Sequence, residues 1–212
     1  MNARSLAAPA LLALACYDYS APSSVVNGAV VLTQFDQTAN FGAYKYYAVN
    51  PTITVVDATG TVQTQCTVDG TPLLPTIQQQ MSARGYVQVD FAAPGQPQPT
   101  PPPDLQITMH AALGSQDVYY PGWCYWYPYY YCYPGWSYAG SYSFGTLVLD
   151  MGVVKGLSQG EKIPLIWTNA NYAVLASYYT GCNSNGNAVN WQKISDAVVR
   201  AFDQSPYIQA AP

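Results

Sequence analysis

The sequence predicts an α+β fold, a two-layer sandwich in which a mainly antiparallel sheet of about six strands carries two amphipathic helices on one face, in the order β-β-α-β-β-β-β-α. Three observations lead there. Short segments rich in β-branched and aromatic residues, several alternating with period two, dominate the chain. Only two segments combine helical spacing of apolar residues with helix-end signals. Half of the 212 residues are apolar, enough for a core, while only 8% are charged, where about a quarter is usual. Two helices laid on one sheet face bury both apolar surfaces at once.

The chain opens with a segment that is not part of this fold. Arg4 makes a short basic start, and Leu6 to Ala15 (LAAPALLALA) is an apolar run of ten residues, the length of a signal-peptide core and about half of a membrane span. Residues 1–15 therefore read as a signal peptide. Leu12-Ala13-Leu14-Ala15-Cys16 resembles the lipobox of bacterial lipoproteins, in which the cysteine thiol is lipidated, with Ala13 where Leu is commonest. Ordinary signal-peptidase cleavage also fits, because Ala13-Leu14-Ala15 satisfies the small-x-small rule. Cysteine parity favours the lipid. Of five cysteines, four remain if Cys16 is modified, an even number that suits disulfides in an oxidising compartment. Tyr17 follows where an Asp would hold a Gram-negative lipoprotein in the inner membrane, so an outer-membrane lipoprotein facing the periplasm is expected, with secretion as a soluble protein the alternative. Residues 16–29 then read as a lipidated tether.

The domain is expected over 30–205, with 206–212 as a tail. Val25 to Phe35 and Ala43 to Val49 read as the first two strands. Thr71-Pro72 offers an N-cap followed by proline at the first helical position, Leu73, Leu74, Ile77 and Met81 share one helical face, and Gly85 stands where a C-terminal glycine cap belongs. Tyr86 to Phe91 is a short strand. Residues 92–104 hold six prolines, which exclude helix and sheet and leave an extended loop. From Leu105 to Leu113, Leu105, Ile107, Met109 and Ala111 alternate with Gln106, Thr108 and His110, a strand with one wet face. Gly145 to Val154 and Ile163 to Val174 form a hairpin around Lys155 to Lys162. Asn190 caps a last helix with Trp191, Ile194, Val198 and Phe202 inward and an Asp196–Arg200 pair outside.

Residues 117–142 are the most distinctive stretch. Trp123, Trp126 and Trp136 stand among many tyrosines, punctuated by Pro and Gly, and a hairpin-like excursion is expected. Tyr119, Tyr120, Trp123, Tyr125, Trp126, Tyr127 and Trp136 make a candidate contact surface. Aromatic rings stack on sugars and also suit a membrane interface, so peptidoglycan, another glycan or an envelope protein are the partners to consider. A self-packed loop without a partner is the plainer reading. Cys124 and Cys132 bracket the tip and are candidates for one disulfide, with Cys66 and Cys182 for another, although four cysteines allow three pairings.

In order, Phe35-Asp36, Asn40-Phe41-Gly42-Ala43-Tyr44-Lys45-Tyr46-Tyr47, Arg84-Gly85-Tyr86, Pro103-Asp104-Leu105-Gln106-Ile107, Gly145-Thr146-Leu147-Val148-Leu149-Asp150 and Leu165-Ile166-Trp167 resemble the bacterial envelope proteins grouped as domain of unknown function 4136. The resemblance spans about residues 30–205. It implies a lipoprotein with a Tyr- and Gly-rich insertion before the Gly-Thr-Leu strand, and no assigned activity. Thr168-Asn169 depart from the small residue that often follows the Trp.

Function classes narrow by what the chain lacks. Its basic residues are scattered singly and its formal charge is −4, so nucleic acid is not an expected partner. The thiols lack metal-type spacing and His110 is the single histidine, so neither metal nor cofactor is expected. Glu161 is the single glutamate and no strained GxSxG turn is present. His110 and Asp150 could pair across strands, yet no nucleophile accompanies them. A noncatalytic structural or binding domain is the expectation, with a hydrolase built on an unrecognised Asp-based site as the alternative.

Overall fold

The structure, a computed structural model, describes residues 23–56, 62–93, 96–112, 116–120, 123–125, 131–133, 137–142, 145–157, 161–172, 174–175 and 189–211; the side chains of Ser23, 62–66 and 112–142 are not described. Its principal sheet contains β1 (Ser23–Val26), β2 (Ala29–Phe35), β3 (Tyr46–Val56), β4 (Val62–Asp69), β5 (Val87–Gln88), β6 (Leu105–Ala112), β11 (Thr146–Val153) and β13 (Leu165–Tyr172). Between β6 and β11 lie β7 (Gln116–Tyr120), β8 (Trp123–Tyr125), β9 (Tyr131–Tyr133) and β10 (Ser137–Tyr142), and β12 (Lys162–Ile163) precedes β13. The helices are α1 (Leu74–Ser82) and α2 (Trp191–Asp203).

Sheet order is β1-β2-β13-β11-β6-β3-β4, with β5 beside the start of β3. Neighbours are antiparallel except for β3 with β6 and with β5. Both helices pack on one face, where Ile77, Met81, Ile194, Val198 and Phe202 meet Ile53, Leu105, Ile107, Met109, Leu147, Leu149 and Trp167 in one buried cluster. This is the two-layer α+β sandwich, with a sheet of eight strands rather than about six.

The two extra strands have physical explanations. Val25 to Phe35 is not one strand but a hairpin, because Asn27 and Gly28 take φ of 48° and 74°, as a two-residue turn of that type requires. Pairing thus begins at Ser23, within the segment expected to be a tether. β4 (VQTQCTVD) is a polar edge strand paired only with β3, and edge strands need no apolar alternation.

The helix ends follow their signals with one substitution of role. Gly85 has φ of 85°, Tyr86 N–H donates to Met81 O and Gly85 N–H to Ser82 O, a Schellman ending. At the start, Thr71 does not cap; the Asp69 carboxylate accepts from both Thr71 N–H and Thr71 Oγ1–H. Asn190 Oδ1 does cap α2, accepting from Lys193 N–H at 3.0 Å. The Asp196–Arg200 pair is not formed. Asp196 accepts from Asn27 and Gln192, and Arg200 donates to Ser24 Oγ, because the β1–β2 hairpin lies within reach of α2 and offers competing partners. Beyond α2 the chain stays packed: Ile208 is buried and the Tyr207 ring stacks on Phe35 with centroids 3.7 Å apart.

Candidate functional site

Alternation along β6, β11 and β13 sends Gln106, Thr108, His110, Asp150 and Thr168 to the sheet face opposite the helices. That face is not wet. Gln106, Thr108, Asp150 and Thr168 are buried and the His110 side chain is only 12% exposed. The helices do not supply this burial, since both lie on the other side of the sheet.

Register places Asp150 between Thr108 on β6 and Thr168 on β13, with His110 one diagonal step away opposite Val148. Thr168 Oγ1–H donates to Asp150 Oδ1 at 2.6 Å, and His110 Nε2 stands 3.7 Å from Asp150 Oδ2, too far for a hydrogen bond. Burial holds His110 below its usual pKa and Asp150 above its own, in each case outweighing their mutual attraction. The sequence order of contacts is hydroxyl, carboxylate, imidazole. A nucleophilic triad needs the imidazole in the middle, taking the hydroxyl proton. Here the carboxylate occupies that place, so the cluster is a buried polar contact and not a primed nucleophile.

Other polar groups of the quoted motifs are spent inside the fold. Asp104 ends the proline-rich loop, which contains a cis Thr100–Pro101 peptide. Its Oδ2 accepts from Lys45 N–H at 2.8 Å and Tyr46 N–H at 3.0 Å, and Oδ1 meets Lys155 Nζ at 2.9 Å. Partial burial raises this carboxyl, but the two N–H groups and Lys155 outweigh it and leave the pKa below its usual value. Arg84, at the end of α1, donates to Gln80 O and to Phe202 O, with its guanidinium over the Phe202 ring. A cation thus meets the last carbonyls of α2, as the helix dipole favours. Tyr86 Oη–H donates to Phe41 O, and Trp167 Nε1–H to Ser205 Oγ. These contacts join β3, α1, α2 and β13.

The excursion over 117–142 is a nested hairpin. β7 and β10 pair antiparallel with Ser137 opposite Tyr120, and further out β8 and β9 pair with Trp123 opposite Tyr133, Cys124 opposite Cys132 and Tyr125 opposite Tyr131. β8 also pairs with β12, Ile163 facing Cys124 and Lys162 facing Tyr125, so the excursion is fastened beside the start of β13. Of the candidate contact residues, Tyr119, Tyr120, Trp123 and Tyr125 lie on described strands, whereas Trp126, Tyr127 and Trp136 lie outside the described residues. Cys66 lies on β4, and Cys16 and Cys182 are outside the described residues; no cysteine side chain is among those described.

Sequence reasoning passed over the residues that complete these contacts. Thr168 and Asn169, noted only as departures from a pattern, bond Asp150 and the Leu32 carbonyl. Asn171 and Thr33 are likewise buried on the helix face. The available signal was their place in an otherwise apolar strand. Among the described residues no group of three His, Cys, Asp or Glu side chains could hold a metal, and no helix is long and apolar enough to cross a membrane.

Three comparisons bear on this arrangement. The family model described as domain of unknown function, DUF4136, matches residues 31–207. A crystal structure of a DUF4136 family protein from Bacteroides thetaiotaomicron is similar with a TM-score of 0.54 at 22% identity, covering 85% of this chain and 97% of that one. That likeness concerns the fold. No protein with a curated description matches.

Proposed function

The chain belongs to the DUF4136 family, and from that premise we propose that it is a lipoprotein of the bacterial envelope, anchored in the outer membrane through Cys16 and carrying a noncatalytic structural or binding domain into the periplasm. The observation that carries the noncatalytic part is the internal use of its polar motif residues. Asp104 holds two backbone N–H groups and a lysine, Arg84 holds helix carbonyls, and Asp150 holds Thr168. Groups so engaged are not free to move protons on a substrate. The anchor rests on the apolar leader, on Ala15-Cys16 and on cysteine parity. With β1 starting at Ser23, residues 17–22 alone separate Cys16 from the sheet, a reach of roughly 20 Å when extended. On this reading the domain rides close to the membrane.

Fractionation of cells expressing the wild type and Cys16→Ser tests the anchor. The wild type is expected with the membranes and the variant in the soluble periplasmic fraction; equal distribution contradicts the proposal. For the noncatalytic part, His110→Ala with Asp150→Asn is expected to fold and to leave the envelope phenotype unchanged, and a folded protein with a lost phenotype would favour the hydrolase reading.

A second reading, glycan or peptidoglycan contact, is favoured by one observation. Positions 123, 125, 131 and 133, all aromatic, are directly opposed in pairs across β8 and β9 and so share one face of the ribbon. Purified peptidoglycan is expected to retain the wild type better than a protein lacking 117–142. Identical retention removes this reading.

A further inference from the structure

We infer that Cys124 and Cys132 are joined as a disulfide that closes the tip of the aromatic hairpin. The two residues are direct antiparallel partners on β8 and β9. Opposed residues in such a pair stand about 4.5–5.5 Å apart at Cα, within the range a disulfide spans without moving the backbone. The same pleat that puts 123, 125, 131 and 133 on one face puts 124 and 132 together on the other. Cys66, by contrast, lies on β4, at the far edge of the principal sheet and in a different sheet from β8 and β9. The two short strands also need such a closure: each has three residues, and an isolated ribbon of that size is marginal in water. Hydrogen bonding to β12 secures only the β8 side. Closing the tip would hold the paired aromatic positions in register, so the contact face would be formed before any ligand arrives.

Formation requires a disulfide as oxidant, either a small molecule such as oxidised glutathione or a protein dithiol oxidase. One cysteine loses its proton and attacks a sulfur of that disulfide, whose bond breaks and releases one thiolate. The second cysteine, also deprotonated, then attacks the mixed disulfide and expels the other thiolate. Two electrons pass to the oxidant, and its two sulfurs leave as thiols with the two protons. In the cell this rests on the envelope reading, because the cytosol keeps such thiols reduced.

The test uses the full chain, equilibrated in vitro with oxidised and reduced glutathione, alkylated, digested at aromatic residues without reductant and weighed. The expected result is a cross-linked pair of peptides, one containing Cys124 and one Cys132, lighter by two hydrogens than the summed masses of the two free-thiol peptides and separated by reductant. The same pair is expected in Cys66→Ser/Cys182→Ser, where no other partner exists inside the domain. Alkylation of both thiols in the oxidised protein, or linkage of either to Cys66 or Cys182, overturns the inference. Protein isolated from cells separates the two claims: if the bond forms in vitro but both thiols are free in the cell, the pairing stands and the envelope reading fails.

Discussion

The indole N–H of Trp167 donates to Ser205 Oγ at 2.9 Å, tying strand β13 to the turn that follows α2. Ser205 Oγ–H in turn donates to Ala201 O, and Ser205 Oγ also accepts from Tyr207 Oη–H at 3.1 Å. Both Trp167 and Ser205 are buried. Ser205→Ala removes the partner of a buried indole N–H, so a loss of about 1–3 kcal/mol is expected. Urea denaturation checks this; an unchanged midpoint would mean the bond contributes nothing net.

Asp104 makes a sharper case because its carboxylate serves two backbone donors. Asp104→Ala should cost about 2–4 kcal/mol, the larger part from Lys45 and Tyr46 N–H groups left unpaired, and Asp104→Asn about half as much. Lys155→Ala should cost less than about 1 kcal/mol, since that lysine is 58% exposed. The folded pKa of Asp104 lies below the ordinary 3.8, so its contribution is full above that pH and is lost as pH falls through the folded value. Denaturation across acidic pH should show this slope in the wild type and not in Asp104→Asn.

His110 and Asp150 pull stability in opposite directions. The folded pKa of His110 is below 6.5, so the unfolded chain takes up a proton that the fold refuses, and stability is lost as pH falls below 6.5. Asp150 has a folded pKa above 3.8, so the unfolded chain ionises first and stability is lost as pH rises from 3.8 through the folded value. His110→Gln should abolish the loss below pH 6.5. Asp150→Asn, which removes the buried charge and can still accept from Thr168, should be more stable than the wild type at pH 7. A less stable variant would mean that the pair's attraction outweighs its burial.

Two glycines with positive φ should respond differently to alanine. A Cβ at Gly145 would collide with the Leu175 carbonyl, whereas at Gly28 it meets nothing within 4 Å. Gly145→Ala should cost more than about 3 kcal/mol through combined strain and collision, and Gly28→Ala about 1–2 kcal/mol from backbone strain alone. Thermal melts of the two variants compare them directly; equal losses would contradict the packing around Gly145.

Most of the fold could be read where local physics and tertiary packing agree. Gly85 needed its left-handed conformation, Asn190 capped its helix, and the odd positions of β6 faced the core. Failures came where long-range contacts decide. Nothing local to β6 tells that its Gln106 and Thr108 face is covered, and nothing local to α2 reveals that Asn27 and Ser24 would draw Asp196 and Arg200 apart. The Asn27-Gly28 turn was a legible hairpin signal, masked by the apolar residues on both sides that read as one strand. At the candidate site, the His110 and Asp150 pairing followed from alternation alone. Thr168, which gives Asp150 its only hydrogen bond among the described residues, could be found only once β13 was set beside β11.

The central claim is an exported domain held at a membrane by Cys16, and the mass of the mature N-terminal peptide isolated from membranes tests it most directly. The account predicts a peptide that begins at Cys16 and carries a diacylglyceryl group on its sulfur and an acyl chain on its amine. A peptide beginning at an unmodified Cys16, or one retaining residues 1–15, would contradict it.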